Sequence, residues 1–207
     1  MTATEETKPT NWNVPNALTT LRIVMVPFFG WALLVDDGQS LLWRTVAWVL
    51  FVAAMITDKV DGDIARSRNL ITNFGKIADP IADKALTGMA FVGLSIIGEL
   101  WWWVTVLVLV REWGITLLRF WVIRHGVIAA SSGGKLKTVL QTVALGLLIL
   151  PLKLLEDEPW HTLGLVLWWA AAALMAAAVT VTLVTGVDYI IKALAVRRAG
   201  RAGVTTP

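Results

Sequence analysis

Six stretches of mostly apolar residues follow one another along the chain, separated by short polar connections. They cover roughly residues 15–35, 41–62, 78–98, 101–124, 134–154 and 160–192. A helix that crosses the hydrocarbon core of a bilayer needs about 20 such residues. The sixth stretch is long enough to extend beyond the membrane. The pattern therefore predicts an all-α integral membrane protein built as a bundle of six transmembrane helices.

Composition agrees with this interpretation. Of the 207 residues, 57% are hydrophobic and 16% are charged, whereas soluble domains are about half apolar and a quarter charged. The polar positions divide the chain into an N-terminal segment 1–14, a membrane domain 15–194 and a basic tail 195–207. Cysteine is absent, which excludes disulfides, thiolate metal sites and a cysteine nucleophile.

The connections between the apolar stretches alternate in charge. Lysine and arginine number eleven in one alternating set of connections and termini and two in the other. The positive-inside rule therefore predicts that both termini and the 63–77 connection lie in the cytoplasm, as expected for a multi-pass protein of the cell (inner) membrane. A net charge of +3 without a basic stripe interleaved with aromatic residues gives no indication of nucleic-acid binding.

Four carboxylates lie at the ends of two neighbouring apolar stretches. Asp58 and Asp61 end the second stretch, and Asp79 and Asp83 begin the third. Spacings of three and four residues place each pair on one face of a helix. If the two helices are adjacent, the four carboxylates converge at the cytoplasmic surface.

Such a cluster needs positive charge, because four crowded anions repel one another and are costly to desolvate. One alternative is a structural salt-bridge cluster with Lys59, Arg66 and Lys84. The other is a pair of divalent cations, for which oxygen donors favour Mg²⁺ or Mn²⁺. Two such ions would form the arrangement used for in-line displacement at phosphorus.

The carboxylates belong to a longer motif. It reads Asp58-x2-Asp61-Gly62-x2-Ala65-Arg66-x8-Gly75-x3-Asp79-x3-Asp83, with eight fixed residues across 26 positions. Small residues let a nucleotide approach the backbone, and an arginine fork suits phosphate. This motif resembles the complete signature of the CDP-alcohol phosphotransferase family, without a departure at any fixed position.

The resemblance implies six transmembrane helices around a polar cavity that opens to the cytoplasm, usually in a homodimer. It implies that Asp58, Asp61 and Asp79 bind one metal ion and that Asp58, Asp79 and Asp83 bind a second. Asp83 would also take the proton of the attacking alcohol. The residues expected to hold the CDP moiety are Gly62, Ala65, Arg66, Thr72 and Gly75. On the first stretch, Asn16, Thr19 and Arg22 recur every three residues; they could touch the nucleotide or the acceptor phosphate, or serve capping and surface roles.

The acceptor is indicated by other segments. Residues 13–22, 79–84, 111–112, 134–138 with Gln141, and 185–189 look like the corresponding parts of phosphatidylglycerophosphate synthases, so the resemblance covers about residues 13–192. Four basic residues in or near apolar stretches would suit an acceptor phosphate: Arg111, Arg119, Lys135 and Lys137. Alternatively, Arg111 pairs with Glu112 or a lipid phosphate, although adjacent helical residues face apart.

The sequence thus predicts transfer of a phosphatidyl group from CDP-diacylglycerol to glycerol 3-phosphate, with two divalent cations (Mg²⁺ or Mn²⁺) as cofactors and membrane lipids and a second copy of the chain as partners. The same chemistry with another acceptor would give an inositol-phosphate lipid synthase or a cardiolipin synthase. A membrane transporter and a non-catalytic assembly subunit are alternatives of other classes. A transporter would favour ionisable residues at the bilayer midplane and repeated helices.

Overall fold

The computed structural model describes residues 13–68, 70, 72–122, 132–157 and 159–202, with the side chains at 73, 76, 119–122, 132–135 and 196–202 left out. Within this part of the chain there are six long α-helices: α1 (Val14–Leu34), α2 (Leu41–Ser67), α3 (Asn73–Ile96), α4 (Trp102–Val122), α5 (Ser132–Ile149) and α6 (Trp160–Ala202). Two short 3₁₀ helices, Val35–Gly38 and Pro151–Leu154, follow α1 and α5. The predicted all-α architecture is confirmed.

Each predicted stretch forms one helix, but several boundaries differ from the prediction. The connection predicted over 63–77 shrinks to a short turn, because α2 continues to Ser67 and α3 begins at Asn73. The N-cap of α3 is Thr72, whose side chain accepts a hydrogen bond from the Gly75 backbone N–H at 3.0 Å. A capping hydroxyl satisfies a backbone donor that the first turn leaves unpaired. Apolar periodicity could not reveal this helix start, since the first turn contains Asn73, Gly75 and Lys76 beside a single apolar residue, Phe74.

Four of the described helical segments are long and apolar enough to cross a membrane: Val14–Gly38, Leu41–Ser67, Leu136–Leu154 and Trp160–Ala195. Within the described residues, α3 and α4 are not among these segments. Both helices carry charged residues, including Asp79 and Asp83 in α3 and Arg111 and Glu112 in α4. Six spans therefore stay a prediction for these two helices, which carry much of the expected site.

The outer surface of the helices is rich in large apolar side chains. Leu42, Val110, Leu117, Trp169 and Val184 are each about two-thirds exposed. A surface of this kind would promote aggregation in water, whereas lipid tails cover it without cost. Together with the four apolar helices, it identifies a membrane protein.

Helix α1 packs along both α2 and α3, whereas α2 and α3 touch each other over a much shorter stretch. Close approach of α1 to α3 depends on Gly30 and Gly93. A Cβ atom on Gly93 would stand 2.6 Å from Leu33 Cδ2, and one on Gly30 would stand 2.7 Å from Met89 Sδ. Small residues allow membrane helices to approach in this way. The expectation that α2 and α3 are direct neighbours is therefore only partly met, because α1 lies against both.

Candidate active site

One face of α1 supplies three buried polar side chains to the region of the acidic motif. Asn16, Thr19 and Arg22 are 5%, 1% and 1% exposed, respectively. The N-cap of the helix is Asn13, whose side chain accepts from the Asn16 N–H at 3.0 Å. The three-residue spacing keeps the polar side chains on one face. A surface role for these residues, left open by the sequence, is wrong.

Arg22 joins the two carboxylates of α2. Its Nη1 donates to Asp58 Oδ1, and its Nη2 donates to Asp61 Oδ2. The Asp61 side chain is 4% exposed, whereas that of Asp58 is 39% exposed. One buried guanidinium therefore compensates both acids, and one of these acids remains open to solvent.

The carboxylates of α3 complete the acidic cluster. Thr19 Oγ1 donates to Asp79 Oδ1 at 2.5 Å and lies 3.4 Å from Asp61 Oδ2. Asp61 interacts electrostatically with Asp58 and Asp79, and Asp83 interacts with Asp58. Within the described ranges, neither Asp79 nor Asp83 forms an ion pair. Arg22 and Thr19 of α1 thus link Asp58, Asp61 and Asp79, and the convergence of all four acids on one metal site stays a prediction.

A polar corner lies beside this cluster, at the start of α3. Asn16 Nδ2 and Thr72 Oγ1 are 2.9 Å apart, and both residues are buried. A Cβ atom on Gly75 would lie 3.0 Å from Asn16 Oδ1, 3.4 Å from Thr72 Oγ1 and 3.7 Å from Asp79 Oδ2. The absence of a side chain at Gly75 therefore leaves room for the close approach of these groups. Three of the residues predicted to hold CDP meet at this corner.

Other residues of the predicted CDP site lie on the outer part of α2. Arg66 is 68% exposed and donates to Asp63 Oδ1 at 2.8 Å. Gly62 stands one turn before Arg66, where an added Cβ would be 3.3 Å from Arg66 Nη1, and Ala65 is half-buried. Asp63 falls in the connection predicted over 63–77; it is exposed, but it belongs to α2 and pairs with Arg66.

The donor set suits a hard divalent cation, because it consists of carboxylates and a hydroxyl without a soft ligand. The arrangement, however, is not a complete coordination shell: among the described residues, no three acidic or histidine side chains stand close enough together to hold a metal ion. Arg22 engages one oxygen on each of the α2 acids. The residues therefore have suitable ligand chemistry for the ion. The positive charge between Asp58 and Asp61 in this structure is the Arg22 guanidinium. The proposed salt-bridge alternative named the wrong basic residues.

A second polar cluster joins α4, α5 and α6. Glu112 Oε1 accepts from Arg111 Nη1 at 2.9 Å and also from Lys137 Nζ. Arg111 Nη2 donates to Thr185 Oγ1 at 2.9 Å. The expectation that Arg111 and Glu112 face apart is wrong, because the long arginine side chain bends to the carboxylate that Lys137 also binds. This cluster adjoins the acidic one, since Asp83 interacts electrostatically with Glu112 and Lys137.

Two of the predicted acceptor-site side chains, those of Arg119 and Lys135, lie outside the described residues. Around the Glu112 cluster, three buried polar atoms have no hydrogen-bond partner in the described part of the chain: Arg111 Nε, Gln141 Oε1 and Thr182 Oγ1. Gln141 lies one turn after Lys137 on α5, and Thr182 one turn before Thr185 on α6. Buried polar groups without partners are costly, so this junction is suited to receive a polar ligand.

A cavity of about 610 Å³ opens between α4 and α6. Its lining is apolar except for Arg111 and includes Val110, Ile115, Leu118 and Val187. The motif carboxylates do not line it. It is therefore distinct from the polar, cytoplasm-facing cavity expected from the sequence, which stays a prediction.

Comparison with known proteins decides the family. A profile described as CDP-alcohol phosphatidyltransferase matches residues 12–184. This range contains the whole acidic motif and all of the Glu112 cluster except Thr185 on α6. The chain belongs to the CDP-alcohol phosphatidyltransferase family. Members of this family generally depend on a divalent metal. The carboxylate and hydroxyl oxygens of the site agree with this dependence.

Several relatives of this CDP-alcohol phosphatidyltransferase are similar over most of both chains. A probable phosphatidylglycerophosphate synthase of Mycobacterium tuberculosis is 52% identical over 182 residues, which cover 88% of this chain and 82% of the relative. A CDP-diacylglycerol–glycerol-3-phosphate 3-phosphatidyltransferase of Bacillus subtilis is 35% identical, over 87% of this chain and 95% of the relative. The Rickettsia bellii protein of the same name is 38% identical, over 86% and 93%.

Sequence reasoning missed two contacts of the site. Arg22 was grouped with Asn16 and Thr19, but its pairing with Asp58 and Asp61 was not foreseen. Glu112 was treated only as a neighbour of Arg111. Both residues carried a signal, because a charged residue inside an apolar stretch needs a partner. The spacing along the chain does not say which helix supplies that partner.

Proposed function

We propose that this chain transfers the phosphatidyl group of CDP-diacylglycerol to glycerol 3-phosphate, giving phosphatidylglycerol phosphate and CMP. The observation that carries the proposal is the linkage of Asp58, Asp61 and Asp79 through Arg22 and Thr19. Asp83 interacts electrostatically both with Asp58 and with Lys137 of the neighbouring cationic cluster. Relatives named for this reaction are 35% to 52% identical to the chain. The acidic region suits a metal-bound pyrophosphate, and the cationic cluster suits a phosphorylated acceptor.

The four aspartates would hold two divalent cations, Mg²⁺ or Mn²⁺. Asp58, Asp61 and Asp79 would bind one, and Asp58, Asp79 and Asp83 the other. Such ions neutralise a pyrophosphate and stabilise the charge that develops on the leaving nucleotide. Thr19 supports this assignment, because its hydroxyl fixes Asp79 at 2.5 Å while lying 3.4 Å from Asp61. It therefore orients a carboxylate that both ions would share.

The nucleotide would lie against the corner where α1 meets the start of α3. Asn16, Thr72 and Gly75 surround that corner, and an added Cβ at Gly75 would fill it. Gly62 and Ala65 would let the CDP moiety approach α2. Arg66 would bind a phosphate through its guanidinium fork, since its only described partner is an exposed carboxylate, and exposed pairs of this kind are weak.

The acceptor phosphate would bind Arg111 and Lys137, with Arg119 and Lys135 as further candidates. One carboxylate, Glu112, is shared by two cations, so the cluster keeps a positive charge that suits a phosphate monoester. Gln141 and Thr182 contribute buried polar atoms without a described partner, which could bind the acceptor's hydroxyl groups.

In the reaction, the acceptor hydroxyl oxygen attacks the phosphorus that carries the diacylglycerol. Asp83 takes the hydroxyl proton, the new P–O bond forms, and the P–O bond to CMP breaks. Asp83 is suited to this role because it lies between the acidic and the cationic clusters, interacting with Asp58 on one side and with Lys137 on the other. A general base needs only hydrogen-bond reach of the proton that it removes. No covalent enzyme intermediate is needed.

In the membrane, all six helices would span, with the active site and both termini facing the cytoplasm and two copies forming a homodimer. Helices α3 and α4 would be tolerated because Asp79 accepts from Thr19 and Glu112 pairs with Arg111 and Lys137, as polar groups in membranes require. The excess of lysine and arginine in the termini and connections that would face the cytoplasm supports this orientation.

An acceptor panel tests the proposal. Purified protein is incubated with CDP-diacylglycerol and either glycerol 3-phosphate, inositol phosphate or phosphatidylglycerol, with Mg²⁺ or with a chelator, and CMP release is measured. We expect CMP only with glycerol 3-phosphate and only with the metal. Release with inositol phosphate or phosphatidylglycerol alone would reassign the acceptor. Release that survives the chelator would reject the two-cation mechanism.

A further inference from the structure

Two arginines of the described chain are almost completely buried, and they differ in how their nitrogens are used. Arg44, 2% exposed, donates to three backbone carbonyls: Nε to Ile149 at 3.1 Å, Nη1 to Gly38 at 3.2 Å and Nη2 to Leu148 at 2.8 Å. Arg22, 1% exposed, donates through Nη1 and Nη2 to carboxylates, and its Nε has no partner in the described structure. Arg44 is fixed by the fold, whereas Arg22 is held only by two acids.

These acids are two of the four that the proposed function assigns to metal binding. Asp58 and Asp61 lie one turn apart and interact electrostatically with each other, and Asp61 also interacts with Asp79. Without a cation, their mutual repulsion would destabilise this end of α2. The guanidinium supplies the missing charge by binding one oxygen of each acid. Asp58 is also 39% exposed, so a cation from solvent can reach it.

We propose that Arg22 is a resident counter-cation, which neutralises Asp58 and Asp61 when no metal is bound and competes with a divalent ion for their oxygens. The inference rests on the proposed function only for the assignment of these acids as metal ligands. Arg22 keeps the site folded in the absence of metal and, in return, weakens metal binding. This makes it a positioning residue, since it acts through the carboxylates.

A purely structural salt bridge would behave differently. It would stabilise the protein to the same extent with and without metal, as expected for Arg44. A counter-cation gives its largest stabilisation in the absence of metal, because the metal replaces part of its interaction with the acids. Removing its charge should also strengthen the attraction between the acids and a divalent ion, since like charges in contact repel. The two roles therefore predict opposite dependences on metal.

The decisive variant is Arg22→Gln, which retains a polar side chain but removes the charge. The melting temperature of the detergent-solubilised protein is measured in chelator and in Mg²⁺, and Mn²⁺ binding is titrated by electron paramagnetic resonance. We expect a lower melting temperature in chelator, a Mg²⁺-induced rise at least about twice that of the wild type, and a Kd for Mn²⁺ reduced about threefold or more.

Arg44→Gln is the matched control, because it removes a guanidinium that is equally buried but far along α2 from the acids. Its melting temperature should fall by the same amount in chelator and in Mg²⁺, with an unchanged Kd for Mn²⁺. If Arg22→Gln does not fold in chelator, it is purified in Mg²⁺ and used for the titration alone. Arg22→Lys, which keeps the charge, should then bind Mn²⁺ more weakly than Arg22→Gln.

Two outcomes overturn the inference, and they can be told apart. If the wild type binds Mn²⁺ and Arg22→Gln binds it equally or more weakly, Arg22 is not a competing cation, and the proposed function stands. If the wild type shows neither Mn²⁺ binding nor a Mg²⁺-induced rise, the metal assignment itself fails, and the role of Arg22 fails with it.

Discussion

Helix α2 carries a buried charged cluster at each end, and the two clusters are built differently. Near its start, Arg44 donates to three backbone carbonyls and lies 3.6 Å from Glu99. Glu99 also accepts from Lys153 Nζ and Trp168 Nε1, each at 2.7 Å. Near the other end, the Arg22 guanidinium donates to two carboxylates, Asp58 and Asp61, which interact electrostatically with Asp83 and Asp79, respectively.

The difference lies in how far charges and partners are balanced. Around Glu99, two cations and an indole N–H share one carboxylate, and the carbonyls at the end of α5 are capped. That cluster needs nothing further, so it fixes the ends of α2, α5 and α6. Around Arg22, the described acids outnumber the cation that pairs with them, and Arg22 Nε has no described partner. An unbalanced buried cluster is costly unless a ligand completes it, so the imbalance is what separates a binding site from a structural clamp.

The largest expected effect is a loss of activity from a mutation in the acidic cluster around Arg22. Asp83→Asn keeps the shape of the side chain but removes its basicity, so kcat for CMP release should fall by about 10²- to 10⁴-fold. The melting temperature should change little, because Asp83 forms no ion pair in the described structure. More than a tenth of wild-type activity in the folded variant would show that another group takes the proton.

A mutation in the cluster around Glu99 should instead lower the free energy of unfolding. Glu99→Ala leaves Arg44 and Lys153 without their carboxylate, and removing one partner of a buried pair costs about 3–5 kcal/mol. Unfolding in detergent, followed by circular dichroism, should show this loss. The kcat and KM of the folded variant should stay within about twofold of the wild type, because distant sites without shared partners are usually independent of each other. A selective loss of kcat would mean that the two ends of α2 are coupled.

Much of this contrast could be predicted from sequence, because it depends on local patterns. The apolar stretches predicted the six long helices of the described chain, and the three- and four-residue spacings predicted that each acid pair shares a face. The role of α1 could not be predicted. Its contacts from Thr19 to Asp79 and from Arg22 to Asp58 link positions 36 to 60 residues apart, and they depend on tertiary packing that periodicity does not encode.

The Glu112 cluster shows a second limit of sequence reasoning. The rule that adjacent helical residues diverge describes the directions of their Cβ atoms. Arginine is long enough to bend around the helix, and Lys137 from α5 draws Glu112 to the same point. A rule for short side chains therefore failed for a long one, because a third residue from another helix determined the geometry.

A smaller effect is expected when the support of the acidic cluster is removed without changing its charge. Thr19→Val keeps the volume of the side chain but deletes the hydroxyl that donates to Asp79. A hydrogen bond to a charged group contributes about 1.5–3 kcal/mol, so kcat should fall by roughly 10- to 150-fold in the CMP-release assay. Thr20→Val is the control, since Thr20 is exposed and its hydroxyl donates to the Asn16 carbonyl at 2.8 Å, with no described bond to an acid of the site. Equal losses in both variants would refute the positioning role of Thr19.

The smallest effect is expected for the exposed pair of Asp63 and Arg66, which belongs to neither buried cluster. Asp63→Asn removes the exposed partner of Arg66, and such pairs contribute about 0–1 kcal/mol, so the melting temperature should stay nearly constant. The KM for CDP-diacylglycerol should stay the same or fall, because Arg66 is then free to bind phosphate, whereas Arg66→Gln should raise it. If Asp63→Asn raises KM as much as Arg66→Gln does, the pair itself orients the guanidinium, and charge balance would matter at this exposed edge of the site as well.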